Sequence, residues 1–378
     1  MLRRSRKILA APPLSGEEFS ARNQTAPVVF YLASMHDSPT QWRVNISPAG
    51  DLFFVGTTTG PVAADQAATT LYRQLNDALR EHRAQIVQER VFSNLSVRNQ
   101  VLSARQTILG DTGPLSYVEG APLWGEGLAG IIVRAVPGVV RPVTLNGVVR
   151  GRAWDGQIIL QALQGETSAV IAEAEQLLQQ HGTTYRQVAR TWFYLADILS
   201  WYGEFNRLRN TAYTNVGLIG PTGARLPAST GINGRNAAGQ PLSLDLLAVT
   251  GEGKFTVLHN PRQPEALDYG SAFARAVLVG SLLEISGTAA IDPAGHSVHD
   301  GDAPAQIAYT LDAITALIQP AGARLDDMLA GCLFLKRRED RTAAAELLAE
   351  LPLVGIWADV CRPELLVEID AEIAVPAR

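Results

Sequence analysis

The chain has 378 residues, 47% of them apolar and 18% charged, enough apolar side chain for two or three packed units. A net charge of −5, with no basic patch interleaved with aromatics, argues against nucleic acid as a partner. Two cysteines, Cys332 and Cys361, make no disulfide framework, and no apolar run approaches a membrane span, so a cytoplasmic, reducing setting is expected.

Residues 1–25 start basic, carry an apolar run at 8–11 too short for a signal segment, and read as a flexible tail. Leu52, Phe53, Phe54 and Val55 predict a strand. Residues 67–82 predict a helix with Leu71, Leu75, Ala78 and Leu79 inward, followed by a strand over 86–92 and a closing strand within 127–136. Gly125, Gly127 and Gly130 match the spacing of a dinucleotide fingerprint. They precede a strand instead of opening a helix, so no nucleotide is expected there.

Farther on, Ile171, Ala172, Ala174, Leu177 and Leu178 share one helical face; Gly182 stands where a C-cap belongs, and strands follow at 191–195 and 244–249. The third segment repeats this order. Ile307, Leu311, Ile314, Leu317 and Ile318 form the helical face, Gly322 the cap, and 331–335 and 365–375 the strands. Leu177, Gly182, Val188, Trp192 and Leu195 recur 140 residues later as Leu317, Gly322, Met328, Cys332 and Leu335. Strands followed by helices on one side predict an α+β fold. We expect units at 26–137, 138–250 and 251–378, packed about a pseudo-threefold axis.

The segment 360–370 reads as one strand with Arg362 at one end and Glu368 six residues on. A guanidinium fork suits a carboxylate, and a buried glutamic acid suits proton transfer. Unaided, the two also fit an exposed pair. His296 and His299 lack a third ligand nearby, so no metal site is expected.

Longer motifs extend the reading: RTWFYLAD at 190–197, WYGEFNRLR at 201–209, PASTGI at 227–232, YGSAFAR at 269–275, ISGTAAID at 285–292 and CRPELLVE at 361–368. Each unit resembles the Rid (YjgF-like, chorismate mutase-like) fold, which forms homotrimers with sites between subunits. The chain of three such units resembles the chorismatases, with the N-terminal third the weakest part of the match. The resemblance implies an intramolecular pseudo-trimer, for which a monomer is plausible. It implies a cofactor-free enzyme whose partner is chorismate, cleaved at its enolpyruvyl ether to release pyruvate. Glu368 would be the general acid that protonates the enol methylene, with Glu364 and Asp370 ranking behind it. Burial would raise its pKa and neighbouring Arg362 would lower it. Arg362 and Arg275 would bind carboxylates, with Tyr269 and Thr288 supplying hydroxyls. Asn206 and Arg209 would reach in from the second unit, placing one working site between units two and three; Arg190 would contribute from its strand. Ala274 would keep a position near the pocket small. The resemblance implies that cysteine at position 361 goes with hydroxybenzoate formation, 3-hydroxybenzoate favoured. The rivals are a hydrolytic chorismatase giving a dihydroxycyclohexadiene carboxylate, a Rid-like imine or enamine hydrolase, and a binding module without turnover.

Overall fold

The computed structural model describes residues 38–110, 113–221, 223–251 and 255–376. The expected tail at 1–25 lies outside them. Three sheets follow one another along the chain. The first is built from β1 (Thr40–Ile46), β2 (Leu52–Thr58), α1 (Ala64–Glu81), β3 (Ala84–Ser93), α2 (Arg98–Leu109), β4 (Ser116–Glu119), β5 (Ala121–Pro122) and β6 (Leu128–Pro137). The second comprises β7 (Arg141–Leu145), β8 (Val148–Trp154), β9 (Gln157–Gly165), α3 (Thr167–Gln180), β10 (Val188–Leu195), α4 (Ile198–Asn215), the short hairpin β11 (Ile219–Gly220) and β12 (Gly223–Ala224), β13 (Ala228–Asn233) and β14 (Leu242–Val249). The third holds β15 (Phe255–Leu258), β16 (Ala276–Val279), β17 (Leu282–Thr288), α5 (Ala303–Ile318), β18 (Met328–Leu335), α6 (Arg341–Glu350), β19 (Leu353–Trp357) and β20 (Val367–Ala374).

One topology is used three times. The strand orders β1-β2-β6-β3-β4, β8-β9-β14-β10-β13 and β16-β17-β20-β18-β19 correspond position by position, with β7 and β15 added at two edges. Only the last pair in each order is parallel, joined through α2, α4 or α6. β5 leaves the first unit to pair with β19 at the edge of the third sheet.

The helices cover the outer faces and the sheets meet inside. Every residue of β10 and β18 is buried, because one face packs on its own helices and the other on the neighbouring sheets. Phe53, Trp192 and Phe334 therefore belong to one core shared by all three units. The rings of Phe92, Tyr194 and Phe334, from equivalent positions of β3, β10 and β18, come together: Phe92 lies edge-on to Tyr194 at 6.0 Å and to Phe334 at 6.3 Å. Charges cross the same centre. Arg90 pairs with Glu372 at 2.7 Å and Arg190 with Asp370 at 3.1 Å, while both guanidinium groups lie over the Trp192 ring.

Gly182 and Gly322 adopt positive φ of 74° and 81° just past helical segments, as their expected capping role requires. Asp302 caps α5, accepting from the Ala305 amide at 3.0 Å. Two expectations need correction. Ala172 is exposed and Val170 takes its place on the buried face of α3. The segment 360–370 is not one strand: β20 begins at Val367, and Cys361 and Arg362 stand in the turn before it. Pro363 has no N–H for a ladder, and the turn closes with the Leu365 amide donating to the Arg362 carbonyl at 3.3 Å. Among the described residues no helix is long and apolar enough to cross a membrane.

Candidate active site

A cavity of about 190 Å³ opens between the second and third units. Helix α4 contributes Tyr202, Asn206 and Arg209, and β13 contributes Ser229 and Gly231. The third unit contributes Tyr269, Ser271, Phe273, Arg275, Gly287, Cys361, Arg362 and Glu368, with Ala289 and Ile291 completing the wall.

Glu368 lies at the buried floor. Strand alternation puts Glu368, Asp370 and Glu372 on one face of β20, turned toward the centre. Room for the carboxyl comes from an irregularity in the neighbouring strand. The β17–β20 register slips between Ile285 and Thr288, and Gly287 falls within the slip. A Cβ on Gly287 would stand 1.9 Å from Glu368 Oε1, so any side chain there would evict the acid.

Burial raises the Glu368 carboxyl to about 8; the Asp370 charge adds to the rise and Arg190 opposes it. Burial therefore wins the contest posed by the sequence, and the opposing cation is Arg190, not Arg362. The Arg362 guanidinium is turned to other partners: it donates to the Gly295 carbonyl at 2.9 Å and to Ser297 Oγ at 3.3 Å, and lies 5.3 Å from the Tyr269 ring.

Three guanidinium groups line the cavity. Arg275 is buried and held by two bonds to the Pro264 carbonyl, at 2.9 and 2.5 Å. Tyr269 separates it from Arg362, with the two cations 5.5 and 5.3 Å from the ring. Arg209 enters from α4, donates to Asn206 Oδ1 at 2.7 Å and rests over Phe205 and Phe273. With Glu368 protonated below about pH 8, the lining carries three cations and no anion, a field suited to a substrate with more than one carboxylate. Burial pushes the Cys361 thiol up to about 12; Glu368 adds to this, while Arg362 and the Tyr202 hydroxyl oppose it. The thiol is thus neutral at physiological pH and is no nucleophile.

Seven of the ten residues singled out from the sequence meet here: Glu368, Cys361, Arg362, Arg275, Tyr269, Asn206 and Arg209. Three stand behind the wall. Arg190 is buried against Thr230, which it bonds at 2.7 Å, and Asp370, and acts on Glu368 only through charge. The Thr288 hydroxyl is spent on the Ser286 carbonyl at 2.9 Å. Ala274 works through its backbone, bridging to Ala228 of the second unit and receiving Ser286 Oγ on its carbonyl at 2.5 Å. Tyr202, Ser229 and Gly287 were not singled out. Each sits inside a motif read from the sequence, but nothing local there marks it as facing the cavity.

No family model matches the chain. It is 29% identical over 244 residues to a protein named 3-hydroxybenzoate synthase from Streptomyces hygroscopicus, covering 55% of this chain and 68% of that one. A protein named chorismatase from the same organism is 29% identical over 280 residues, 62% of this chain and 77% of that protein. Among solved structures, a chorismatase crystal structure superposes with a TM-score of 0.61 at 25% identity, covering 77% of this chain and 93% of that one. The chain is similar to chorismatases in sequence and in fold.

The pairing registers show which unit can place a carboxyl at the cavity floor. Phe334, Tyr194 and Phe92 are equivalent, and opposite them stand Glu368, Ser243 and Gly130. Only the third unit offers a carboxyl at this position.

Proposed function

We propose that the cavity between the second and third units converts chorismate to pyruvate and a hydroxybenzoate, 3-hydroxybenzoate favoured. The observation that carries this reading is the buried Glu368, held protonated to about pH 8 and facing three guanidinium groups. Arg275, Arg362 and Arg209 bind the two carboxylates of the substrate, and their charge stabilises the bound dianion. Glu368 delivers its proton to the enol methylene, which becomes the methyl group of pyruvate. The resulting oxocarbenium ion weakens the ring-carbon–oxygen bond, and the ether oxygen leaves as the pyruvate ketone oxygen. The neighbouring ring hydroxyl attacks the vacated carbon and returns its proton to Glu368. Opening of the strained ring and loss of a ring proton gives the phenol. Substrate atoms account for both products, and no water is consumed.

Cys361 supports this outcome over hydrolysis. Its half-buried, neutral sulfur stands at the cavity wall beside Tyr202, where it shapes the space around the ring carbon. The test uses purified protein and chorismate without added metal or nucleotide, following pyruvate and separating the aromatic products. Pyruvate with 3-hydroxybenzoate is the expected result. Pyruvate with a non-aromatic diol would overturn the role of Cys361 and leave that of Glu368. No pyruvate above the uncatalysed background would overturn the activity and leave imine or enamine hydrolysis, or binding alone, to be assayed.

A further inference from the structure

Cys361 and Arg362 sit outside any strand, so no ladder fixes them relative to Glu368 on β20. Two side chains that do not line the cavity hold their turn. Lys336, just past β18, directs its ammonium to the Pro363 carbonyl at 2.8 Å and the Arg362 carbonyl at 3.4 Å, with Asp359 Oδ1 at 3.9 Å. Gln306, fully buried on α5, donates to the Glu364 carbonyl at 3.0 Å and the His299 carbonyl at 3.2 Å, and accepts from the Leu366 amide at 2.7 Å. Three consecutive carbonyls, 362 to 364, are thus gripped from two places in the third unit. A glutamine this deep keeps both ends of its amide satisfied only with the turn in this place.

We infer that Lys336 and Gln306 are positioning residues that set the distance of Cys361 and Arg362 from Glu368, and so govern both affinity for a dicarboxylate substrate and the partition between aromatic and diol product. This rests on the chorismatase reading of the same cavity. The physical basis is tolerance: a displacement of about 1 Å in a reacting arrangement costs on the order of 100-fold in rate.

The test compares Lys336→Met, which keeps the stem and removes the donors, with Lys336→Arg, which restores them, and adds Gln306→Glu as a second site. Calorimetric affinity for chorismate, KM, kcat, product ratio and thermal midpoint are measured for each and for the parent protein. Lys336→Met is expected to weaken affinity and raise KM about tenfold, and to raise the diol fraction, with little change in midpoint. Lys336→Arg is expected to recover most of both effects, and Gln306→Glu to shift the same readouts in the same direction. Parental affinity and product ratio in Lys336→Met would overturn the inference, as would a loss of activity that tracks the midpoint and is not recovered by arginine. If the parent binds chorismate without releasing pyruvate, the proposed reaction fails, while the affinities still decide whether Lys336 positions Arg362. If the parent does not bind it, both fail.

Discussion

The protonation of Glu368 makes a quantitative demand on activity. With its carboxyl raised to about 8, about nine-tenths of the protein carries the proton at pH 7; at an unperturbed value of about 4.5 the share would be about one in 300. Burial thus multiplies the competent acid about 300-fold at neutral pH. In the proposed reaction the acid form is the active one, so kcat/KM should be level below the raised pKa and fall tenfold per unit above it. The limb in kcat should lie at higher pH, because a bound dianion favours the protonated form. Glu368→Gln keeps the shape and removes the proton, and is expected to reduce kcat on the order of 10²- to 10⁴-fold with chorismate binding retained. Pyruvate release, followed in buffers from about pH 5 to 10, provides the test. A profile flat through about pH 9.5, or a glutamine variant with more than about a tenth of the parental rate, would refute the assignment of Glu368 as the acid.

Gly287→Ala should remove activity at least about 100-fold while circular dichroism remains parental, since its Cβ would displace Glu368 Oε1; a variant with parental kcat would show that the carboxyl does not act from this place. Asp370→Asn removes a charge that helps hold the Glu368 proton and leaves Arg190 less compensated, so the basic limb should move to lower pH; an unmoved limb would assign the raised pKa to desolvation alone. Cys361→Ala should retain pyruvate release within about tenfold and move product toward the diol, read by chromatography. Folding stability carries the same signature. A carboxyl whose folded pKa is raised favours the folded state fully below about pH 4.5, and that contribution is lost as pH rises through about 8. Glu368→Gln should therefore gain stability relative to the parent as pH rises through this window, by at most about 5 kcal/mol; equal urea midpoints at pH 5 and 8 would contradict it.

Much of this arrangement was legible because periodicity and repetition survive in the chain. The 140-residue echo between β10 and β18 follows from two strands buried on both faces at equivalent places, where the same packing constraints recur. What was not legible depends on long-range register. Whether Thr288 faces the cavity turns on the slip in β17, which appears only once β17 is paired with β20. Arg190 reads like any strand arginine until Asp370, 180 residues away, becomes its partner. Cys361 and Arg362 look strand-like because apolar residues flank them, yet Pro363 ends any ladder and Lys336 and Gln306 hold the turn instead.

The three clefts of the pseudo-trimer place corresponding arginines in different settings. Arg43, Arg150 and Arg275 immediately precede the equivalent residues Val44, Gly151 and Ala276, which face Phe54, Leu160 and Ile285. In the cleft between the third and first units, Arg43 donates to the carbonyls of Ala349 and Glu350 at the end of α6, and only about 10 Å³ remains open there. In the first two units, Arg150 pairs with Glu173 at 3.2 Å, and Arg105 of α2 pairs with buried Glu89 at 2.8 Å. Among the described residues, Arg275 and Arg209 meet across an open cavity with a carboxylic acid at its floor. A homotrimer must spend one sequence on three identical sites. Three units in one chain let two clefts close into packing and ion pairs, so an acid at the floor of an open cavity is carried once.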